Sequence, residues 1–272
     1  MPTYVLEKNI DEIYCSQKEI SPEQLKKITR FATKYNRVVK IIPNADELFN
    51  KNVKNEYYGD TTLVLKVKQL PFEVIDNRII KRIFDIIFSI FICIFVLSWL
   101  YPIIFLLVKI ESKGPVIFKQ VREGLNGTSF VCYKFRSMYV NSDQNTMHAS
   151  VHDSRVTKVG AFMRKTSIDE FPQFLNVLSG AMSVVGPRPH IEKFALEYQK
   201  DVDNYIARHD VKPGITGLAQ VSGYRGEIQK KSDIKNRVRL DIFYIENWSL
   251  ALDLKIIFKT IFSVFRGDEK AY

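Results

Sequence analysis

Hydrophobic and polar positions follow four different rhythms along the chain. Over residues 1–75 they read as a piece of α/β domain. Residues 10–15 and 37–42 are short apolar-rich strands, and residues 61–67 alternate as a third. Ser21-Pro22-Glu23 opens a helix, with Ser21 as N-cap and Pro22 at the first helical position. Its apolar face is Leu25, Ile28, Phe31 and Ala32. From Ile86 to Val108 the rhythm disappears: 23 residues carry no charge, enough to span a bilayer. Residues 111–235 are denser in turns. Strands at 116–120 and 130–135 flank a turn at 124–127, and helices follow at 161–165 and 167–178. Turn signals cluster at Gly186-Pro187-Arg188-Pro189 and Pro213-Gly214. Residues 236–266 form two helical stretches split at Asn247-Trp248-Ser249. The second has a broad apolar face, including Leu254, Ile257, Phe258 and Ile261, punctuated by Lys255, Lys259 and Arg266. That pattern suits a helix in the membrane interface and equally a core helix of a soluble domain.

Charge sharpens the picture. The net charge of the 272 residues is +10, and residues 109–165 carry 10 Lys/Arg against 4 Asp/Glu. Residues 1–80 carry 13 against 11. A basic segment beside an apolar one points to anionic lipid, phosphate or nucleotide as partner, and its place beside an apolar run and a carboxylate pair argues against nucleic acid. Lys81 and Arg82 precede the apolar run; Lys109, Lys113 and Lys119 follow it. Basic residues on both sides conflict with a simple crossing oriented by positive charge. Pro102 would bend a helix there. A segment that enters, bends and leaves on the same side satisfies both facts; a kinked crossing is the alternative. Asp85 reads as a charge partner of Lys81 and Arg82 at the membrane edge. Three cysteines (Cys15, Cys93, Cys132), odd in number and widely spaced, argue against a disulfide scaffold or a cysteine zinc site and fit a reducing compartment. The first 30 residues, mixed and charged, do not read as a secretory signal.

Candidate chemistry concentrates in the third section. Ser167-Ile168-Asp169-Glu170 reads as a capping box, with Ser167 as the cap and Glu170 reaching back. Arg164 and Lys165 precede it, which makes an anion site of the expected helix start. A carboxylate inside a phosphate site has two jobs available: holding a divalent cation, or attacking phosphorus. Neighbours on a helix point about 100° apart, so Asp169 and Glu170 are expected to play different roles. In Gly186-Pro187-Arg188-Pro189 two prolines fix the backbone around a guanidinium suited to a phosphate. Lys212-Pro213-Gly214-Ile215-Thr216-Gly217 offers turn N–H groups to a phosphate or base, and Lys134-Phe135-Arg136 is a basic strand. Tyr224 to Glu227 reads as a hairpin tip. Four histidines (His148, His152, His190, His209) leave little for a His-rich metal centre, and no P-loop or dinucleotide fingerprint is present.

The order of these residues resembles a known family. It runs Lys81-Arg82-Ile83-Phe84-Asp85, the apolar run, Ser112-Lys113-Gly114-Pro115, Tyr133 to Met138, Arg164 to Glu170, Asn176-Val177, Met182-Ser183, Gly186 to Pro189, Lys212 to Gln220, and Leu252-Asp253-Leu254-Lys255. This is similar to the bacterial sugar transferases, the monotopic polyprenyl-phosphate phosphoglycosyl transferases, over about residues 78–266. The resemblance implies a mixed α/β protein in three parts: a partial α/β domain (1–77), a re-entrant membrane helix hairpin (78–110), and a mainly helical catalytic domain with small β elements and interfacial helices (111–272). It implies transfer of a sugar-1-phosphate, with glucose and galactose leading, from a UDP-sugar to undecaprenyl phosphate, with release of UMP. By the same resemblance Asp169 is the nucleophile and a ligand of Mg²⁺, with Glu170 as its partner. Arg164, Arg188, Lys134 and Arg136 hold phosphates. Pro187, Pro189, Lys212, Gly214, Thr216 and Gln220 meet the nucleotide and substrate, and Lys81, Arg82, Ser98 and Pro102 anchor the membrane segment. The implied setting is the bacterial inner membrane, among its lipids, with the catalytic domain on the cytoplasmic face and room for a homodimer. Two departures stand out. The family breaks its hairpin at Ser-Pro, whereas Ser98 precedes Trp99; and an acidic residue usual before Met182 is Ala181 here. Residues 1–75 look like the tail end of the α/β domain of longer members.

Overall fold

The computed structural model describes residues 2–42, 53–58, 62–67, 70–140, 153–202, 204–226 and 230–266. It divides into two compact units, Met1–Arg78 and Ile79–Tyr272. The first holds α1 (Pro2–Glu7), β1 (Glu12–Ser16), α2 (Pro22–Lys34), β2 (Val38–Ile42), β3 (Val53–Tyr58) and β4 (Thr62–Val67). The sheet order is β1-β2-β4-β3, with β1 and β2 parallel and the other pairs antiparallel. α2 starts where the pattern puts it: Ser21 Oγ accepts from the Gln24 N–H at 3.3 Å, and Gln24 returns the bond to the Ser21 N–H at 2.9 Å. Val5, Ile13, Cys15, Ala32 and Val39 form its core. The sequence reading has no counterpart of β3, whose VKNEYY is too polar to stand out.

The apolar run is one helix of 37 residues, Ile75–Glu111. It comprises α3 (Ile75–Ile92), a π-helical turn (Cys93–Leu97) and α4 (Ser98–Glu111). Among the described residues it is the one helix long and apolar enough to cross a membrane. Its polarity is inverted in α3. The buried side chains are Lys81, Asp85 and Ser89, four residues apart, while Ile79, Ile83, Ile87 and Phe91 are exposed. A helix that turns its polar stripe inward and its apolar face outward is built for an apolar surrounding. The π turn and α4 instead bury Leu97, Leu100, Ile104 and Val108 against Val116, Phe135 and Met163. The helix does not break at Pro102: the proline sits inside α4, and the irregularity in the helix is the π turn just before Ser98. Ser98 Oγ adds a back-bond to the Ile94 carbonyl, a second device that bends helices.

The second unit continues with β5 (Ile117–Glu123) and β6 (Ser129–Phe135), an antiparallel ribbon. α5 (Lys158–Thr166), a 3₁₀ turn (Ile168–Glu170) and α6 (Gln173–Leu178) follow. Then come β7 (Ser183–Val185), α7 (Glu192–Asp201), a 3₁₀ segment (Tyr205–Asp210), β8 (Gly214–Thr216) and α8 (Leu218–Val221). α9 (Lys231–Glu246) and α10 (Leu250–Arg266) close it. α10 is two-faced: Asp253, Ile256 and Ile257 are buried, while Leu254, Phe258, Ile261 and Phe262 are exposed. The hairpin tip expected at Tyr224 to Glu227 is corrected. Residues 224–226 lie in the connection between α8 and α9, with no strand flanking them among the described residues, and Glu227 lies outside those residues.

Two close contacts set α5 in place. A Cβ on Gly160 would lie 2.0 Å from the Ser137 carbonyl oxygen, so only glycine lets the helix approach the chain after β6. Its free N–H groups are capped twice: Thr157 Oγ1 accepts from Gly160, and the Glu111 carboxylate accepts from Lys158 at 2.6 Å and Val159 at 3.0 Å. Glu111→Ala is expected to cost about 1 kcal/mol, read as a lowered thermal midpoint in detergent.

Candidate active site

The site is built on the short turn between α5 and α6. Ser167 does not cap a helix as expected. It takes a left-handed conformation (φ 58°) that ends α5, and its hydroxyl accepts from Arg225. The reversal aims Asp169 and Glu170 into the protein, each 7% exposed. β6 faces them. Asn176 in α6 behaves like a neighbouring strand: its Oδ1 accepts from the Tyr133 N–H at 2.9 Å and its Nδ2 donates to the Val131 carbonyl at 2.7 Å. This docking brings Lys134 to the carboxylates.

The two acids differ sharply in environment. Glu170 is fully engaged: Oε1 takes Lys134 Nζ at 2.8 Å and Arg188 Nη2 at 2.7 Å, and Oε2 lies 3.5 Å from Arg188 Nη1. Burial alone would raise its carboxyl, but Arg188 and then Lys134 outweigh it and hold the group well below the usual range. Asp169 makes no hydrogen bond among the described residues; its nearest cation is Lys134 Nζ at 3.8 Å. Burial pushes its carboxyl up, against the pull of Lys134. Arg164 and Arg122 also act on this carboxylate through space. A desolvated carboxylate that makes no hydrogen bond, set among cations, marks this turn as the candidate site.

The remaining expected residues divide into those at this cluster and those with other work. Arg164 Nε donates to Ser137 Oγ at 2.8 Å, and its charge acts on Asp169 through space. Arg136 is turned away: both Nη atoms close the carbonyls of Ser112 and Lys113 after α4. Arg82 does the same for α6, donating to Val177 at 2.6 Å and Leu178 at 2.9 Å. Lys81 is buried rather than presented to a membrane surface, paired with Asp253 at 2.8 Å and Asp85 at 3.2 Å. Asp85, the expected partner, also accepts from Ser183 Oγ and the Val184 N–H. Lys212 lies by Gly180 with Arg82.

The Gly214 N–H, expected to be free for a ligand, donates to the Pro187 carbonyl at 2.9 Å. Thr216 Oγ1 pairs with Thr260 Oγ1 at 2.7 Å, and Gln220 Nε2 approaches the Ile215 carbonyl. These residues build the β7–β8 pair that carries Pro187, Arg188 and Pro189. Glycine at 214 is required by packing, since a Cβ there would lie 2.1 Å from the Gly186 nitrogen. Gly214→Ala is expected to lose about 1–3 kcal/mol by overpacking, with Arg188 displaced from Glu170, measured as a lower midpoint together with lower activity.

Two groups escaped the sequence reading. Arg122 shares a ribbon face with Gln120, Cys132 and Lys134, and strand alternation could have found it. Arg208 and Asp241 pair at 2.8 Å inside the unit. Asp241 belongs to the buried face of α9 with Ile234 and Val238, where a carboxylate at helical spacing among apolar residues was the available signal.

As for a metal, no group of three His, Cys, Asp or Glu side chains occurs among the described residues. One carboxylate without a hydrogen bond, beside cations that substrate phosphates could also meet, is a donor set that Mg²⁺ commonly uses, one or two carboxylates with substrate phosphates and water. Ala181 lies in the turn after α6, where its N–H donates to the Asn176 carbonyl.

With this geometry in view, the profile of the family described as bacterial sugar transferase matches residues 76–267. The chain belongs to the bacterial sugar transferase family. Membership accounts for the whole second unit, from the apolar helix to α10. A UDP-glucose:undecaprenyl-phosphate glucose-1-phosphate transferase of Klebsiella pneumoniae is 50% identical over 190 residues, 70% of this chain and 41% of the relative. One of the same name from Xanthomonas campestris is 37% identical over 276 residues, 99% of this chain and 56% of the relative. A UDP-N-acetylgalactosamine-undecaprenyl-phosphate N-acetylgalactosaminephosphotransferase of Aeromonas hydrophila is 44% identical over 69% of this chain. The chain spans between two-fifths and three-fifths of the length of these relatives.

Proposed function

We propose that the chain transfers a hexose-1-phosphate from a UDP-sugar to undecaprenyl phosphate and releases UMP. The observation that carries this reading is the contrast at the 3₁₀ turn: Glu170 is saturated by Lys134 and Arg188, whereas Asp169 beside it is buried and unbonded. In the first step an Asp169 oxygen attacks the sugar-linked phosphorus of the donor. The bond from that phosphorus to the bridging oxygen breaks, and UMP leaves with the electron pair. This leaves an aspartyl phosphosugar. In the second step a phosphate oxygen of undecaprenyl phosphate attacks the same phosphorus, and Asp169 departs as a carboxylate. Two bulky anionic substrates then never meet in the site together. Glu170 holds Lys134 and Arg188 where the diphosphate charge develops, and Arg164 adds a third cation. Asp169 and phosphate oxygens would hold Mg²⁺, which supplies further charge neutralisation.

The inverted polarity of α3 supports a membrane location, and the basic residues at both ends of the apolar run support a re-entrant segment with both ends on the cytoplasmic face of the inner membrane. The reaction fits the first membrane step of exopolysaccharide or related polysaccharide assembly. The test is UMP release by a purified membrane fraction, with undecaprenyl phosphate and Mg²⁺, from a panel of UDP-sugars. Release with one hexose donor, dependent on the acceptor and lost on chelation, is the expected result. No release from any donor by folded protein overturns it.

A further inference from the structure

Four consecutive carbonyls, from Pro187 to His190, are each held from outside their own segment. Pro187 O accepts from the Gly214 N–H at 2.9 Å, and Arg188 O from Arg208 Nη2 at 2.7 Å. Pro189 O accepts from Arg122 Nη1 at 2.9 Å, and His190 O from the Glu123 N–H at 3.1 Å. Two of the four residues are prolines with fixed φ. The only long side chain leaving this held backbone toward the acids is Arg188, which lands on Glu170.

Arg208 is central to the arrangement. It is 3% exposed and comes from the 3₁₀ segment after α7. Asp241 Oδ2 accepts from its Nη2 at 2.8 Å and from its Nε at 3.2 Å. Its Nη1 reaches His190 Nδ1 at 2.6 Å, and the Tyr205 ring packs beneath the guanidinium, 5.1 Å away. Burial and the Arg208 charge together keep His190 neutral, so its ring can accept from Arg208. Neither Arg208 nor Asp241 bonds to Asp169 or Glu170 among the described residues. A buried ion pair is poor value as a pure stability device, because well-packed apolar residues serve as well. What apolar residues cannot do is donate to the Arg188 carbonyl and the His190 ring at once.

We infer that Arg208, oriented by Asp241 and assisted by Arg122, is a positioning residue that aims the Arg188 guanidinium at Glu170 and so shapes the phosphate clamp beside Asp169. The inference rests on the phosphoryl-transfer reading above for its kinetic consequence, but not for its structural one.

The test uses the full chain in lipid nanodiscs. Arg208→Lys keeps the charge and loses the two-pronged donor. It is expected to lower kcat/KM roughly 10–100-fold, the scale of a small misplacement of a catalytic group. In an Arg188→Lys background the same substitution is expected to cost less than about twofold, because no guanidinium remains to be aimed. Equal losses in both backgrounds overturn the inference and make Arg208 a stability element. Should Arg208→Lys not fold, Arg122→Gln takes its place in the same cycle. A second readout needs no turnover: the Arg188 guanidinium Nε–H resonance in nitrogen NMR, assigned against Arg188→Lys and compared between the native chain and Arg208→Lys at one pH. Release of Arg188 from Glu170 moves that resonance; an unchanged resonance overturns the inference. If the native chain turns over no donor, yet the Arg188 resonance moves as expected, the functional reading fails and the positioning role stands.

Discussion

Asp169→Asn is expected to abolish UMP release, by roughly 10³-fold or more, while the protein stays folded and still binds its donor. The substitution is nearly isosteric, and no hydrogen bond to Asp169 is lost, since none is made among the described residues. Removing the charge also relieves the cost of its burial, so the fold should not suffer. A loss of this size without a loss of stability separates a reacting carboxylate from a structural one. Native protein given a donor labelled at the sugar-linked phosphate, without acceptor, is expected to become labelled, and Asp169→Asn is not. Glu170→Gln provides the contrast. It breaks the bonds to Lys134 and Arg188, so it should lower both stability and turnover. If Asp169→Asn retained turnover and Glu170→Gln alone lost the label, the roles of the two acids would be reversed.

Lys81→Met is expected to have the largest effect on stability, about 3–5 kcal/mol, because it strips the cation from a buried charge cluster. Lys81 bridges Asp85 and Asp253, which are 2% and 0% exposed. Asp253 also accepts from the Tyr244 hydroxyl at 2.8 Å and Trp248 Nε1 at 3.1 Å, and Asp85 from Ser183 and Val184. The cluster therefore ties α3 to α10 and to the strand that leads into Pro187 and Arg188. The measurement is the thermal midpoint in nanodiscs. A drop of roughly 10 °C is expected for a unit of this size. Adding Asp253→Asn to Lys81→Met should recover part of the loss by removing one stranded carboxylate, whereas a further loss would mean that packing, not charge, dominates. Activity should fall with stability, since Val184 lies four residues before Arg188.

These two sites also show how differently two kinds of information are written in the chain. Local signals were reliable. The Ser21 N-cap, the strands at 116–120 and 130–135, and the split between α9 and α10 depend on neighbours in sequence, so their physics is visible there. The uncharged run from Ile86 to Val108 announced a helix with an apolar surrounding, and the order of basic and acidic segments pointed to a phosphate site around Asp169 and Glu170. The missing strand β3, the π turn of the apolar helix and the left-handed Ser167 were not legible. In each case tertiary contacts override a weak or opposite local preference. Ser167 has the sequence of a cap, yet it ends one helix so that the two acids can turn inward.

By itself, then, the sequence determined the helix and strand rhythm, the apolar helix and the identity of the chemical groups, because each depends on residues within a few positions of one another. Only the tertiary structure decided which charges meet. Arg136 and Arg188 look alike in sequence, but one closes a helix end and the other grips Glu170. Lys81 and Lys134 are both basic residues near apolar segments, but one is locked between Asp85 and Asp253 and the other stands at Asp169 and Glu170. The physical reason is that a charge must be paid for by the partners that surround it when it is buried, and those partners come from elements far apart in the chain.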